Sequence, residues 1–368
     1  FRMPALSART VRTLFDFLDE FNPDIVHAHE PALIGLIGQI WAKMHMVPFV
    51  HTSHVLPAKV LDFGTADALD MKIMQSSFSE SISQRVLMNF YQNCDAIIAL
   101  NEPARKALRR FGYAGRLFVI PNGRDLERYV TFAYADAETE EKNISFVGYI
   151  SRRKNQSYLI DSHLHLPKHY TLYLIGKALK PEYGKQLKQY CEARDLDNVV
   201  FTGQVPHTEI SSYLEKTHVF VSASKMEVQS LVVIEALASG TPVVGLSNET
   251  TDELVDDEVG CWLPKETTPE EFAACVERIC NLPQPEYERL CQNARQRVDH
   301  LDWSNVVDQT VAAYRELMEE KPAMTKETGA MLADLVSLLP SGDVKELLMA
   351  RIRTTRSQPG AVAEFLQG

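Results

Sequence analysis

Residues 218–245 read HVFVSASKMEVQSLVVIEALASGTPVVG, and the pattern changes twice along them. HVFVS is a short β-rich apolar run, the form expected of a strand buried on both faces. From Gln229 or Ser230 to Ala238 the residues follow a helical pattern that stops at Ser239-Gly240, and PVVG returns to a strand. Strand, helix and strand in succession make a βαβ unit, the building block of a parallel sheet. The unit also carries two acids, Glu227 and Glu235, in otherwise apolar company. A charge entering an apolar helix costs several kcal/mol unless it is paired or wet, so either this stretch faces solvent or the acids have a chemical role.

The same alternation extends outward in both directions. Ahead of it lie strand-like runs at 24–28 (DIVHA), 47–51 (VPFVH), 95–99 (DAIIA), 117–120 (LFVI), 144–148 (ISFVG), 171–175 (TLYLI) and 198–202 (NVVFT). Together with 218–222, 242–245 and 260–263 they make ten, separated by helical patterns. PNGRDLERYVTFAYADAETEEKN, a turn followed by a polar acidic stretch, divides them four and six. The fold class expected is therefore α/β, with two doubly wound Rossmann-like domains. The first spans 1–122, a linker 123–142, and the second 143–300. A helix over 301–321 begins near Trp303, and a helical tail of unknown role occupies 322–368. Four strands opening on a helix suggest a first domain that lacks its initial βα units.

The chain has 368 residues, enough for two domains, and a formal charge of −11. Through residue 128 the basic and acidic residues balance, 14 against 13, and the acidic excess falls beyond. Nucleic acid is therefore not an expected partner. Six cysteines without a C-x-x-C, scattered among apolar neighbours, read as buried reduced thiols of a cytoplasmic protein rather than as a metal site. No apolar run reaches 18 residues, so no membrane-spanning helix is expected.

In open parallel sheets, ligands sit beyond the carboxyl ends of strands, where loops meet helix N-termini. After ISFVG, Gly148 permits a tight turn, and Arg152, Arg153 and Lys154 lie where a helix begins. After HVFVS, Glu227 lies in the loop and Glu235 in the second turn of the following helix. That helix N-terminus favours a phosphate, the neighbouring cations would hold a diphosphate, and the two acids would accept hydrogen bonds from sugar and ribose hydroxyls. The combination describes a pocket for a nucleotide joined to a sugar.

With these residues in place, the chain resembles the retaining GT-B glycosyltransferases, family 4 group. The resemblance is carried by Glu227, seven residues, Glu235 and ALASGTPVV, and by FVGYISRRKN, NVVFTGQVP, VIPNGRDLERY, DIVHAHEP and DWSNVVDQTVAAY in the family's order. EVQ after Glu227 looks more loosely like the glycolipid-forming members, such as the diacylglycerol glucosyltransferases. The resemblance implies two domains facing a cleft, a UDP- or GDP-sugar donor and transfer with retention of anomeric configuration. It implies no metal and no cofactor, the nucleotide-sugar being a substrate. Lys154, Glu227 and His54 are implied as catalytic. Gly148, Arg152, Arg153, Lys154, Glu227, Gln229, Ser230, Leu231 and Glu235 are implied as donor-binding. Three features depart from the family pattern: Tyr149 stands where Arg is common, Ser230 where Gly is common, and the expected glycine-rich loop would precede Phe1.

In the first domain His27, His29, His51 and His54 cluster at strand ends, with His29 and Glu30 expected on the acceptor side. Apolar residues at 74, 78, 82, 86 and 90 predict a core-packed helix. HVLPAKVLDFG (54–64) is expected to form an acceptor lip that, with the basic 104–115 stretch, touches a membrane as a peripheral protein on its inner face. The acceptor would be a lipid or glycan. Two competing readings are weaker on the residues. A metal-dependent transferase needs an Asp-x-Asp after a strand, and DLD (195–197) precedes one; a non-hydrolysing epimerase does not as a rule carry EALASGTPVV. A catalytically silent nucleotide-sugar-binding subunit of the same fold is the alternative that Tyr149 and Ser230 leave open.

Overall fold

The computed structural model describes residues 7–31, 33–54, 87–129, 135–136, 138–320, 332, 335–336 and 342–356. Its strands are β1 (Val26–Ala28), β2 (Phe49–Ser53), β3 (Ala96–Ala99), β4 (Arg116–Val119), β5 (Lys142–Val147), β6 (Tyr170–Ile175), β7 (Val199–Gly203), β8 (Val219–Ser222), β9 (Val243–Leu246) and β10 (Gly260–Leu263). They form a four-stranded sheet, β1-β2-β3-β4, and a six-stranded sheet, β10-β9-β8-β5-β6-β7, with every pairing parallel. Each of the ten expected runs is a strand, its ends displaced by two residues at most. The reason is burial on both faces: β2, β3, β8 and β9 are covered along their whole length, and β3 (AIIA) and β9 (VVGL) are wholly apolar.

Helices cover both faces of the first sheet. Ala8–Phe21 and Leu33–His45 pack through Phe15, Ile37 and Trp41. The opposite face takes the helix Trp303–Glu319, whose Val306, Ala313 and Leu317 lie in one cluster with Val50, Ala96 and Ile98. Asp302 caps that helix by accepting from the Ser304 amide at 3.0 Å. The last described helix, Asp343–Arg356, adds Leu348 and Ile352 to the first domain's core, and Arg351 reaches Asp16 and Asp19. Burial of each such aliphatic side chain stabilises by roughly 1.5–3 kcal/mol. The described part of the tail is thus a packing element. The expected acceptor lip beyond His54 and the apolar ladder up to residue 86 lie outside the described residues.

In the second sheet the chain winds away from β5 in both directions, so β5 and β8 are neighbours at the point where strand order reverses. Crossovers leave such a pair on opposite faces and open a crevice beyond its carboxyl ends. The start of the expected linker is part of this domain's wall: Tyr129, in the 3-10 turn Leu126–Tyr129, is 3% exposed and packs in one cluster with Ile234 and Leu237. Polar composition concealed this, because Arg124 and Arg128 are spent on ion pairs with Glu235 and Asp125. All six thiols are free, and only Cys275 is not buried.

Candidate functional site

The loop after β5 is shaped by two glycines. Gly148 (φ 143°) donates its amide to the Ile175 carbonyl at 2.9 Å, and a Cβ on Gly176 (φ 142°) would lie 2.1 Å from the Gly148 oxygen. Only glycine allows this approach. The fully buried Gln156 then braces the loop, its Oε1 accepting from the Ser151 amide (3.1 Å) and its Nε2 donating to the Tyr149 carbonyl (3.0 Å). Asn155, left-handed at φ 59°, turns the chain into the helix Gln156–His163. The turn separates the three cations that the sequence places side by side. Lys154 points to Glu227, Arg153 lines a cavity, and the Arg152 guanidinium lies over the Tyr183 ring at 5.0 Å, outside the cavity lining.

The loop after β8 is held from both sides. Lys225 donates its amide to the Arg153 carbonyl (2.9 Å), and Asn101 Nδ2 donates to the Val228 carbonyl (2.6 Å). Lys154 Nζ donates to Glu227 Oε1, and both side chains are about nine-tenths covered. Gln229, expected at the donor, bridges instead to the first domain: Oε1 accepts from the Asn122 amide (2.6 Å) and Nε2 donates to the Leu100 carbonyl (3.2 Å). The Ser230 amide is taken by Thr250 Oγ1 at 2.7 Å. The helix Leu231–Ala238 starts there, and the first-turn amides of Leu231 and Val232 have no acceptor within it. Val233 and Ile234 face the core, whereas Val232 is half-buried at the cavity.

Glu235 is 1% exposed and would be prohibitively placed alone. Its partners are Arg124 Nη2 at 2.5 Å and His207 Nε2 at 3.4 Å, and His207 also meets the Tyr129 hydroxyl at 3.2 Å. Burial first, then the Glu235 carboxylate, pushes the Tyr129 phenol up. Between these groups and the β5 loop is a cavity of about 440 Å³. Gly148, Arg153, Lys154 and Gly176 form one side; Leu231, Val232, Glu235, Arg124 and His207 form the other. Such a space can hold phosphates between an ammonium and a helix N-terminus, with the Glu235 carboxylate in its wall to accept from hydroxyls.

In the first domain His29 Nδ1 and His54 Nε2 are 3.0 Å apart, beyond β1 and β2. His27 packs on His29 at 4.4 Å between ring centroids and bonds Thr52 Oγ1 (2.7 Å) and the Tyr314 hydroxyl (2.5 Å). His51 meets the Ala28 carbonyl at 3.1 Å. Burial lowers all four imidazoles, His27 to about 4 and His51 to about 3, so they are neutral near pH 7. Glu30 is solvent-exposed. Among the described residues no group of three His, Cys, Asp or Glu side chains is arranged to hold a metal ion.

Of the residues singled out in the sequence, Lys154 and Glu227 come together, and Gly148, Arg153, Leu231 and Glu235 line one cavity with Lys154. His29 and His54 pair with each other in the first domain. Arg152, Gln229 and Ser230 have structural partners instead. Sequence reasoning missed Arg124, His207, Gln156 and Tyr129. Arg124 and His207 sit inside or beside the quoted motifs VIPNGRDLERY and NVVFTGQVP, which was the available signal.

The model described as "Glycosyl transferases group 1" matches residues 131–297, and that described as "Glycosyltransferase Family 4" matches residues 1–128. The chain is 26% identical over 253 residues to alpha-monoglucosyldiacylglycerol synthase of Streptococcus pneumoniae, covering 65% of this chain and 55% of the relative. It is 22% identical over 272 residues to the synthase of the same name from Acholeplasma laidlawii, covering 70% and 66%. The chain therefore spans 55% and 66% of these relatives' own lengths. Among solved structures it is similar to Anabaena HepE in complex with UDP, with a TM-score of 0.70 at 21% identity over 84% of this chain and 82% of that one.

Proposed function

The chain belongs to the GT-B glycosyltransferases, and from that premise we propose that it transfers a hexose from a UDP- or GDP-sugar to a lipid or glycan acceptor with retention of anomeric configuration. The observation that carries the reading is the placement of Lys154, paired with Glu227, and of a helix N-terminus on one cavity at the β5/β8 switch point. In this reading the diphosphate lies at Lys154, Arg153 and the amides of Leu231 and Val232. Glu227 accepts from donor-sugar hydroxyls, and Glu235, kept in place by Arg124, accepts from the ribose. His54, oriented by His29, meets the donor sugar from the facing domain, with His29 and Glu30 toward the acceptor. Catalysis then rests on stabilising the departing diphosphate, a task for Lys154 without a metal ion.

The reading extends to a peripheral protein on the cytoplasmic face of a membrane. Among the described residues no helix is long and apolar enough to cross a membrane. The helix Glu102–Phe111 presents exposed Lys106, Arg109 and Arg110 and is the surface offered to anionic lipid. Liposome co-sedimentation should depend on anionic lipid; indifference to lipid charge removes this part alone.

The central test incubates the protein with labelled UDP-glucose or GDP-mannose and liposomal diacylglycerol or free glycans. Transfer, with the anomeric configuration read by NMR, is expected to fall at least about 100-fold in Lys154→Ala. Tight UDP binding without release of UDP from any donor and acceptor pair would instead identify a silent binding subunit.

A further inference from the structure

The ion pair between Lys154 and Glu227 closes two donor-facing groups on each other. We propose that Glu227 is an internal competitor for the donor diphosphate: an incoming nucleoside diphosphate must displace its carboxylate from Lys154, and only a diphosphate carrying a sugar gives that carboxylate new partners. The inference rests on the donor reading above.

Three observations carry it. The Lys154 and Glu227 side chains are only 11% and 10% exposed, so the Glu227 carboxylate is poorly hydrated where it stands and depends on its partner. A carboxylate left there without a partner is unfavourable. The backbone around Glu227 is tied down by the Lys225–Arg153 and Asn101–Val228 bonds, so the carboxylate leaves Lys154 by turning its own side chain. Leu231 and Val232, at the start of their helix, line the same cavity as Lys154, so phosphate oxygens that displace Glu227 from Lys154 come within reach of a helix N-terminus.

A sugar-bearing donor then satisfies both partners, with phosphate on Lys154 and hydroxyls on Glu227. After transfer the sugar is gone. Glu227 again competes for Lys154, and the bare nucleoside diphosphate is expelled. Glu227 thereby makes the site prefer substrate over by-product and speeds release, a role separate from contacting the sugar.

Calorimetric titration with UDP, GDP, UDP-glucose and GDP-mannose tests this on the whole chain, with the tighter-binding base used throughout. Glu227→Gln and Glu227→Ala should each bind the bare diphosphate about tenfold tighter than the wild type and lose the preference for the sugar-bearing form. The gain should vanish when Lys154→Ala is added. Folded Glu227 variants that bind the bare diphosphate no better than wild type overturn the inference and leave the donor reading standing. Wild-type affinity retained in Lys154→Ala overturns the donor reading itself. If the Glu227 variants fail to fold, competition is read in the wild type, where the bare diphosphate must bind more weakly than its sugar-bearing form; equal affinity overturns the inference.

Discussion

Replacing Arg124 by methionine withdraws the cation from Glu235 while keeping most of the side-chain volume. Glu235 is 1% exposed and Arg124 25% exposed, with Nη2 at 2.5 Å from Oε1. Removing one partner of a buried pair costs about 3–5 kcal/mol. The partial exposure of Arg124, and the His207 ring that remains 3.4 Å from the carboxylate, reduce the expectation to about 2 kcal/mol. For a domain of this size that lowers the melting temperature by about 4–8 °C, and the urea midpoint should fall without a change in slope. The double variant R124M/E235Q should recover most of the loss, because an amide requires no cation, giving a coupling of about 1–2 kcal/mol. A wild-type midpoint in the single variant, or simple additivity in the double, refutes the argument.

Three further outcomes are expected. Gly176→Ala, whose Cβ would meet the Gly148 oxygen at 2.1 Å at a φ of 142°, should destabilise by about 3 kcal/mol or more in denaturant titration and weaken nucleotide binding; a neutral effect would contradict the packed β5 turn. Acidification from pH 7 to pH 5 should lower the urea midpoint. Burial holds His27 and His163 near 4 and His51 near 3, so the unfolded chain takes up protons near 6.5 while the folded one does not. Stability is then complete above pH 6.5 and lost below it. Glu253, raised to about 7 by burial, works in the opposite sense, so the loss should steepen in Glu253→Gln; equal midpoints in that variant at both pH values would contradict the histidine account. Iodoacetamide on the native protein should label Cys275 alone, since burial pushes Cys191 up to about 11, and Cys261, Cys280 and Cys291 up to about 12. Mass spectrometry showing label on Cys280 or Cys291 would count against the described core.

Strand positions were legible because burial on both faces leaves no polar residue inside a run such as AIIA or VVGL, and the loops of the switch point followed from strand order. Side-chain destinations were not. Arg152, Arg153 and Lys154 are consecutive, and the left-handed Asn155 with the Gln156 brace decides which of them enters the cavity. Gln229 stands at a helix start in the sequence, yet its amide completes hydrogen bonds with Leu100 and Asn122, more than 100 residues away. Arg124 was hidden within a polar stretch whose composition resembles a linker, because its acidic partner is remote in the chain.

The bonds from Asn101 to Val228, from Gln229 to Leu100 and from Asn122 to Gln229 span the boundary between the two sheets and flank Glu227. Any hinge movement that parts the domains must break these bonds or drag the Glu227 loop along. Swinging the first domain therefore pulls on the segment that carries Glu227, and the stroke of the hinge is mechanically linked to the Lys154–Glu227 contact. Because the Asn101–Val228 bond survives Gln229→Ala, uncoupling should require N101A/Q229A, which removes all three bonds and lets the domains swing while the Glu227 loop stays still.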